Sequence, residues 1–306
     1  IKLVSVFNIL SRGDYYINSL FFNFIIFFGH VMLYRLFIKI YPGSQVWVIM
    51  GCFLLPSTLY FSSGIHKDGL VLLLMAVVIY GVYQSLSKNR ISIKRLLFIL
   101  AGLILLFLVR NFILLALLPA LFAWILVAKT KWNTALVFIS VYLFGGLAFF
   151  NINAVITKIN PPDIIVKKQE AYKSLPIAAT QIELAALQPT VKSFASNIPQ
   201  ALGHVLFLPY PGQQPVKSLL PFSFELYFYL FLLLLLFFFK KKDNLPADKL
   251  LMFFTLFFIL TVFLFIGYIV PNIGSLIRYR SLYLPFIITP VLCSLNWEKM
   301  RGRFVI

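Results

Sequence analysis

Charge is scarce in this sequence, and acidic charge is scarcest. Nine Asp and Glu residues stand among 306, against 27 Lys and Arg. Charged residues make up 12% of the chain and hydrophobic ones 61%, with a mean hydropathy of +0.94. A water-soluble domain needs far more polar surface than that, so the composition excludes one and leaves a polytopic membrane protein. There are two cysteines, Cys52 and Cys293, both inside apolar runs. That excludes a disulfide framework, and the two read as small buried hydrophobes. No zinc spacing, phosphate-binding loop, nucleophile elbow or flavin fingerprint occurs, so neither a metal nor a cofactor is expected. The net charge of +18 does not point to nucleic acid, because the basic residues sit in short loops between apolar runs. The chain opens on Ile1 with no signal-peptide pattern. The expectation is that the native N-terminus, and any earlier spans, lie upstream.

What is present is a series of apolar runs. Nine spans are expected, near 16–36, 45–63, 69–86, 96–109, 112–128, 133–152, 222–239, 249–270 and 277–297. Most approach the roughly 20 residues that cross a hydrocarbon core of about 30 Å. Alternate loops hold Arg35 and Lys39; Lys88, Arg90, Lys94 and Arg95; Lys129 and Lys131; Lys240, Lys241, Lys242 and Lys249; and Lys299, Arg301 and Arg303. Their only acids are Asp243, Asp248 and Glu298. By the positive-inside bias this set is cytoplasmic, which puts the first residues of the chain outside and its C-terminus inside. The stretch 96–128 is interrupted only at Arg110 and Asn111. As one helix it would run about 50 Å, too long for a bilayer, so it reads as two short helices meeting at a polar turn.

Three parts follow: an N-terminal bundle over 1–152, an extracytoplasmic loop over 153–221, and a C-terminal membrane segment over 222–306. In the loop, Pro161 and Pro162 are expected to break the chain early. From 190 to 207 the apolar residues recur at helical spacing, which predicts an amphipathic helix lying in the membrane interface. The fold class is therefore all-α, a transmembrane helical bundle with one loop helix.

The outer ends of these spans collect Asp14, His66, Lys67, Asp68, Arg110, Asn111, Glu225, Arg278 and Arg280. Asp68 falls in the first turn of a helix, where a carboxylate suits the dipole, and its neighbours His66 and Lys67 could be ordinary turn residues. The arginines run against the inside bias, and cations at such depth are costly unless paired or functional. Asp68 and Glu225 could simply neutralise them. If the last span already includes Arg278 and Arg280, they point about 200° apart; if 276–280 is extended, they share a face. Within the first span, Asn23, His30 and Tyr34 share a helical face suited to interhelical hydrogen bonds. A proton relay needs an acidic partner deep in the bilayer, and none is placed there, which argues against a proton-driven carrier.

Leu55-Pro-Ser-Thr58 followed by Ser62-Ser-Gly-Ile-His-Lys-Asp-Gly69, together with Asn272-Ile-Gly-Ser-Leu-Ile-Arg-Tyr-Arg280 before a proline-containing last span, resembles patterns in bacterial envelope-glycan membrane proteins. These are the O-antigen and exopolysaccharide polymerase-like proteins and the polyprenyl-phosphate-dependent glycosyltransferases. The resemblance implies an inner-membrane enzyme of polysaccharide biosynthesis, with its site on the periplasmic side and a lipid-linked sugar as donor. Membrane lipids and envelope-biosynthesis proteins are the implied partners. Lys67, Arg110, Arg278 and Arg280 would hold the phosphate or pyrophosphate. Asp68, Asp14 or His66 would serve as base. The glycosyltransferase branch places its key acid in the first outer loop, which here is Asp14 or lies upstream. Two other readings stand beside it: a carrier or flippase for an anionic lipid or solute, which uses the same arginines as a binding site, and a non-catalytic subunit of an envelope complex.

Overall fold

The structure is a computed structural model that describes residues 2–88, 92–156, 160–212, 217–241 and 249–304, with side chains undescribed at 2–4 and 301–304. Arg90, Gln213, Gln214, Lys242, Asp243 and Asp248 lie outside the described residues, as do the side chains of Arg301 and Arg303. Among the described residues the chain is helical, without a strand; its β features are two isolated bridges. In chain order the helices are α1 (Lys2–Ser11), α2 (Tyr15–Ile40), α3 (Gln45–Phe53), α4 (Pro56–Ser62) and α5 (Lys67–Ser87). Then come α6 (Ile93–Arg110), α7 (Phe112–Thr130), α8 (Thr134–Asn151), α9 (Pro161–Lys173) and α10 (Val191–Phe207). The last are α11 (Leu220–Phe239), α12 (Lys249–Ile269), α13 (Ile273–Ser281), α14 (Leu284–Ser294) and α15 (Trp297–Phe304).

Six of these are long and apolar enough to cross a membrane: α2, α5, α7, α8, α11 and α12. Two bent pairs, α3 with α4 at 46° and α13 with α14 at 60°, raise the number to as many as eight. Helix α6 matches the expected fourth span in position but carries Lys94, Arg95 and Arg110 within its 18 residues. The first bend follows from Pro56, which takes the first position of α4 and cannot continue α3. Pro285 stands in the first turn of α14 in the same way. Pro161 and Pro162, expected to break the loop, instead start α9, because proline at the first helical position lacks only an N–H that would be unpaired there.

The chain divides into two compact units. The first is Ile1–Leu114, Tyr229–Asp248 and Ser281–Ile306; the second is Leu115–Phe228 and Lys249–Arg280. In the first, α5 packs along both α2 and α6, and α3 packs on α14. Leu33, Leu36 and Phe37 from α2 and Val71, Leu72 and Met75 from α5 are fully buried in this unit's core. Gly69 allows close approach near the start of α5, since a Cβ there would collide with the Ile26 side chain and the Ser62 carbonyl. The Trp47 and Trp297 rings stack at 4.0 Å.

In the second unit α12 packs against α8, α9 and α10. Trp124 lies 4.7 Å from Phe254, and Phe138 and Tyr142 pack on Phe257. Helix α10 is present where the apolar spacing predicts one, with Thr190 capping it by accepting from Ser193 N–H. Its Phe194, Ala201 and Val205 are buried, so part of its apolar stripe is spent on α12. Gly267 of α12 sits against the Ala201 backbone, where a Cβ would find no room. The segment before α10 is tied down as well. Gln169, buried on α9, donates to the Ala185 and Tyr268 carbonyls and accepts from Leu187 N–H. Residues 180–182 pair with 271–273 through two backbone hydrogen bonds of 2.9 Å.

Candidate functional site

The first unit brings one acidic and one basic candidate together. Asp68 lies in the first turn of α5 and is 0% exposed. Arg110, the last residue of α6, reaches it with Nη2 at 2.7 Å from Oδ1, its own side chain 12% exposed. The pairing follows from the fold: α5 and α6 pack side by side, and the start of one meets the end of the other. The carboxylate also faces the positive end of its own helix dipole, and the guanidinium the negative end of its own. The guanidinium carbon lies 5.9 Å from the centre of the Phe112 ring, a cation–π distance. Tyr283, fully buried, is close enough to both charges to interact with them electrostatically. Tyrosine is too common in membrane helices to have stood out in the sequence.

His66 and Lys67 are exposed at the start of α5, next in the chain to the buried carboxylate. Asp14 does a different job. Its Oδ1 accepts from Ile17 N–H at 2.9 Å and caps α2 from an exposed position. The polar face expected on the first span holds the turn before α5 in place. Asn23 accepts from Gly64 N–H at 2.8 Å. His30 Nδ1 lies 2.7 Å from the Cys52 carbonyl, so it is the protonated nitrogen, and Nε2 can accept from Ser62 Oγ at 3.3 Å.

The second unit holds the other two arginines. Residues 276–280 are helical, so Arg278 and Arg280 point to different sides of α13. Arg278 is half-buried. Arg280 is 4% exposed, and its Nη1 donates to the carbonyls of Val205 at 2.6 Å and Leu208 at 2.8 Å. Those carbonyls close the C-terminal end of α10, where the helix leaves its own acceptors unpaired. Glu225 is near enough to Arg280 to interact with its charge.

No protein-family model matches the chain, and no curated protein or solved structure matches it either.

Around the end of α10 stand groups that the sequence did not single out. Tyr227 donates to the Phe207 carbonyl, and Ser223 donates to the Pro209 carbonyl. His204 is half-buried, and its Nδ1 has no hydrogen-bond partner among the described residues. Burial pushes its imidazole below the ordinary value of 6.5. A single histidine inside an amphipathic pattern carries no spacing signal, which is why it was not legible. Among the described residues no three His, Cys, Asp or Glu side chains are grouped so as to hold a metal ion.

The two units thus put their arginines to different uses. Arg110 meets a carboxylate, while Arg280 meets backbone. The carboxylate of the ion pair is closed to solvent, while the Lys67 ammonium and His66 imidazole next to it in the chain are exposed and can meet an anion.

Proposed function

We propose that this chain transfers or polymerises lipid-linked glycan units at the outer surface of a bacterial inner membrane, with the start of α5 as its reactive centre. The observation that carries the reading is the fully buried Asp68 held by Arg110, next in the chain to the exposed Lys67 and His66. In this reading α6 is a further short span, making nine with the bent pairs counted. Its basic start lies inside and Arg110 outside. Helix α10 then belongs to the outer interface.

The chemistry assigned to these groups is a glycosyl transfer. Asp68 is closed to solvent in this structure, so the reading requires the start of α5 to open and admit the acceptor. Asp68 then takes the proton of the acceptor sugar hydroxyl as that oxygen bonds to the donor's anomeric carbon. The bond from that carbon to the pyrophosphate oxygen breaks, and polyprenyl pyrophosphate leaves with the electron pair. Lys67 meets the charge that develops on the leaving group. Arg110 orients the carboxylate and is a positioning residue. Arg280 is one too, holding the end of α10.

The test is complementation of a deletion strain, scored by surface glycan. Lys67→Ala is expected at wild-type membrane levels with glycan assembly lost. Asp68→Asn, less stable because it leaves Arg110 without its anion, is expected in the membrane at a measurable level with glycan assembly lost as well. Full glycan in both variants would remove the reading. A carrier would instead move lipid-linked sugar across proteoliposomes without releasing polyprenyl pyrophosphate.

A further inference from the structure

The second unit carries a cavity that the proposed chemistry leaves unused. It lies between α7 and α8 and has a volume of about 520 Å³. Its walls are apolar, built by Phe122 and Leu126 on one helix and Leu136 and Phe144 on the other, with Trp132 at the turn between them. Both helices are long and apolar enough to cross a membrane, and α8 buries only 11% of its apolar window. Phe122, Leu136 and Phe144 of its lining are exposed, so the groove opens on an apolar face of the unit. Its volume and apolar lining suit a chain of methylene groups.

The end of this groove at Trp132 and Asn133 adjoins two lysines in the chain, Lys129 and Lys131. Phe122, Leu126 and Lys129 follow one another at i, i+4 and i+7, which puts Lys129 on the same stripe of α7 as the apolar wall, one step beyond Leu126 toward the turn. Lys131 turns the chain between the helices with φ of 58°, in the left-handed region, while its N–H still bonds to the Val127 carbonyl at 2.9 Å. Lys129 and Lys131 are exposed, and Trp132 is 64% exposed. Indole rings favour the level of lipid headgroups, so Trp132 marks where the groove leaves the hydrocarbon. No acidic residue stands between 127 and 135 to neutralise the lysines.

We propose that this groove is a binding site for an anionic phospholipid, with one acyl chain between α7 and α8 and the phosphate headgroup at Lys129 and Lys131. Apolar walls alone would accept any lipid tail. The two lysines select a net negative headgroup over a zwitterionic one. The charge bias of the loops puts the site in the cytoplasmic leaflet, where anionic lipids are plentiful. The site stands apart from the glycan reading and would persist if that reading failed.

The experiment uses the full chain, purified and placed in nanodiscs of phosphatidylcholine with a titrated fraction of phosphatidylglycerol. Retained lipid is counted by native mass spectrometry. Phosphatidylglycerol should be retained in preference to phosphatidylcholine. Lys129→Gln and Lys131→Gln should each weaken that preference roughly fivefold, about the value of one surface lysine against an anionic leaflet. Arg at both positions should restore it. Ser140 lines the groove from an exposed position, so Ser140→Trp should fill the groove and lower retention of both lipids. All variants should unfold within a few degrees of the wild type. Equal retention of both lipids, or a preference that ignores the lysines, would overturn the proposal. So would a dimer of this chain that Ser140→Trp splits, since the groove would then be covered by a second copy.

Discussion

Asp68 and Arg110 are held at 2.7 Å in a setting almost closed to water, and that sets what each substitution does. Arg110→Ala leaves a buried carboxylate without its cation and should destabilise the protein by about 3–5 kcal/mol. The double variant Asp68→Asn with Arg110→Gln removes both charges and should lose much less. Thermal unfolding in detergent separates the two cases. Arg280→Ala withdraws the donor from the Val205 and Leu208 carbonyls, and each buried acceptor left open costs roughly 1–3 kcal/mol. His204 makes stability depend on pH. Burial holds its imidazole below 6.5, so the folded state favours the neutral ring. The contribution is full above the unfolded value and is lost as pH falls through the folded one. Between pH 7.5 and 5 the wild type should therefore lose more melting temperature than His204→Gln. The sequence made the arginines stand out because they oppose the inside bias. It offered Asp68 and Glu225 as neutralising partners, and Arg110 does meet Asp68. It could not show that Arg280 meets backbone, because carbonyl partners leave no trace in residue identity.

Helix α12 depends on closeness to α10 that a single residue permits. Gly267 has no space for a Cβ beside Ala201. Gly267→Val should force the helices apart at a cost of about 1–3 kcal/mol. Faster hydrogen exchange along α10, with α5 unchanged, would be the accompanying sign. The long helices were legible because an apolar run of about 20 residues matches the thickness of a bilayer core and seldom forms anything but a membrane helix. The bends were less so. Hydropathy reads α3 with α4, and α13 with α14, as single runs. Only the position of Pro56 and Pro285 at a helix start turns each run into two pieces. For Pro161 and Pro162 the same residue type was read as a break and is a beginning. A proline alone does not say which side of it the helix lies on.

Across the whole chain, fold class was legible from composition, because 61% hydrophobic residues leave few alternatives to a helical membrane bundle. The number of crossings was not, since α6 combines an apolar middle with basic ends. Single cysteines introduced at His66 and His204 are expected to react with an impermeant label from outside, and those at Lys88, Lys129 and Lys240 only after permeabilisation. Labelling of Lys129 and His66 from the same side would break the nine-span arrangement. The central claim, that Asp68 serves glycosyl transfer, is tested most directly by release of polyprenyl pyrophosphate from a lipid-linked oligosaccharide by the purified, reconstituted protein. The wild type should release it with an acceptor glycan present, and Asp68→Asn, assayed at a temperature well below its lowered melting point, should be slower by roughly a hundredfold or more, the usual worth of a positioned base. Release at the same rate by Asp68→Asn, or none by a folded wild type supplied with donor and acceptor, would contradict it.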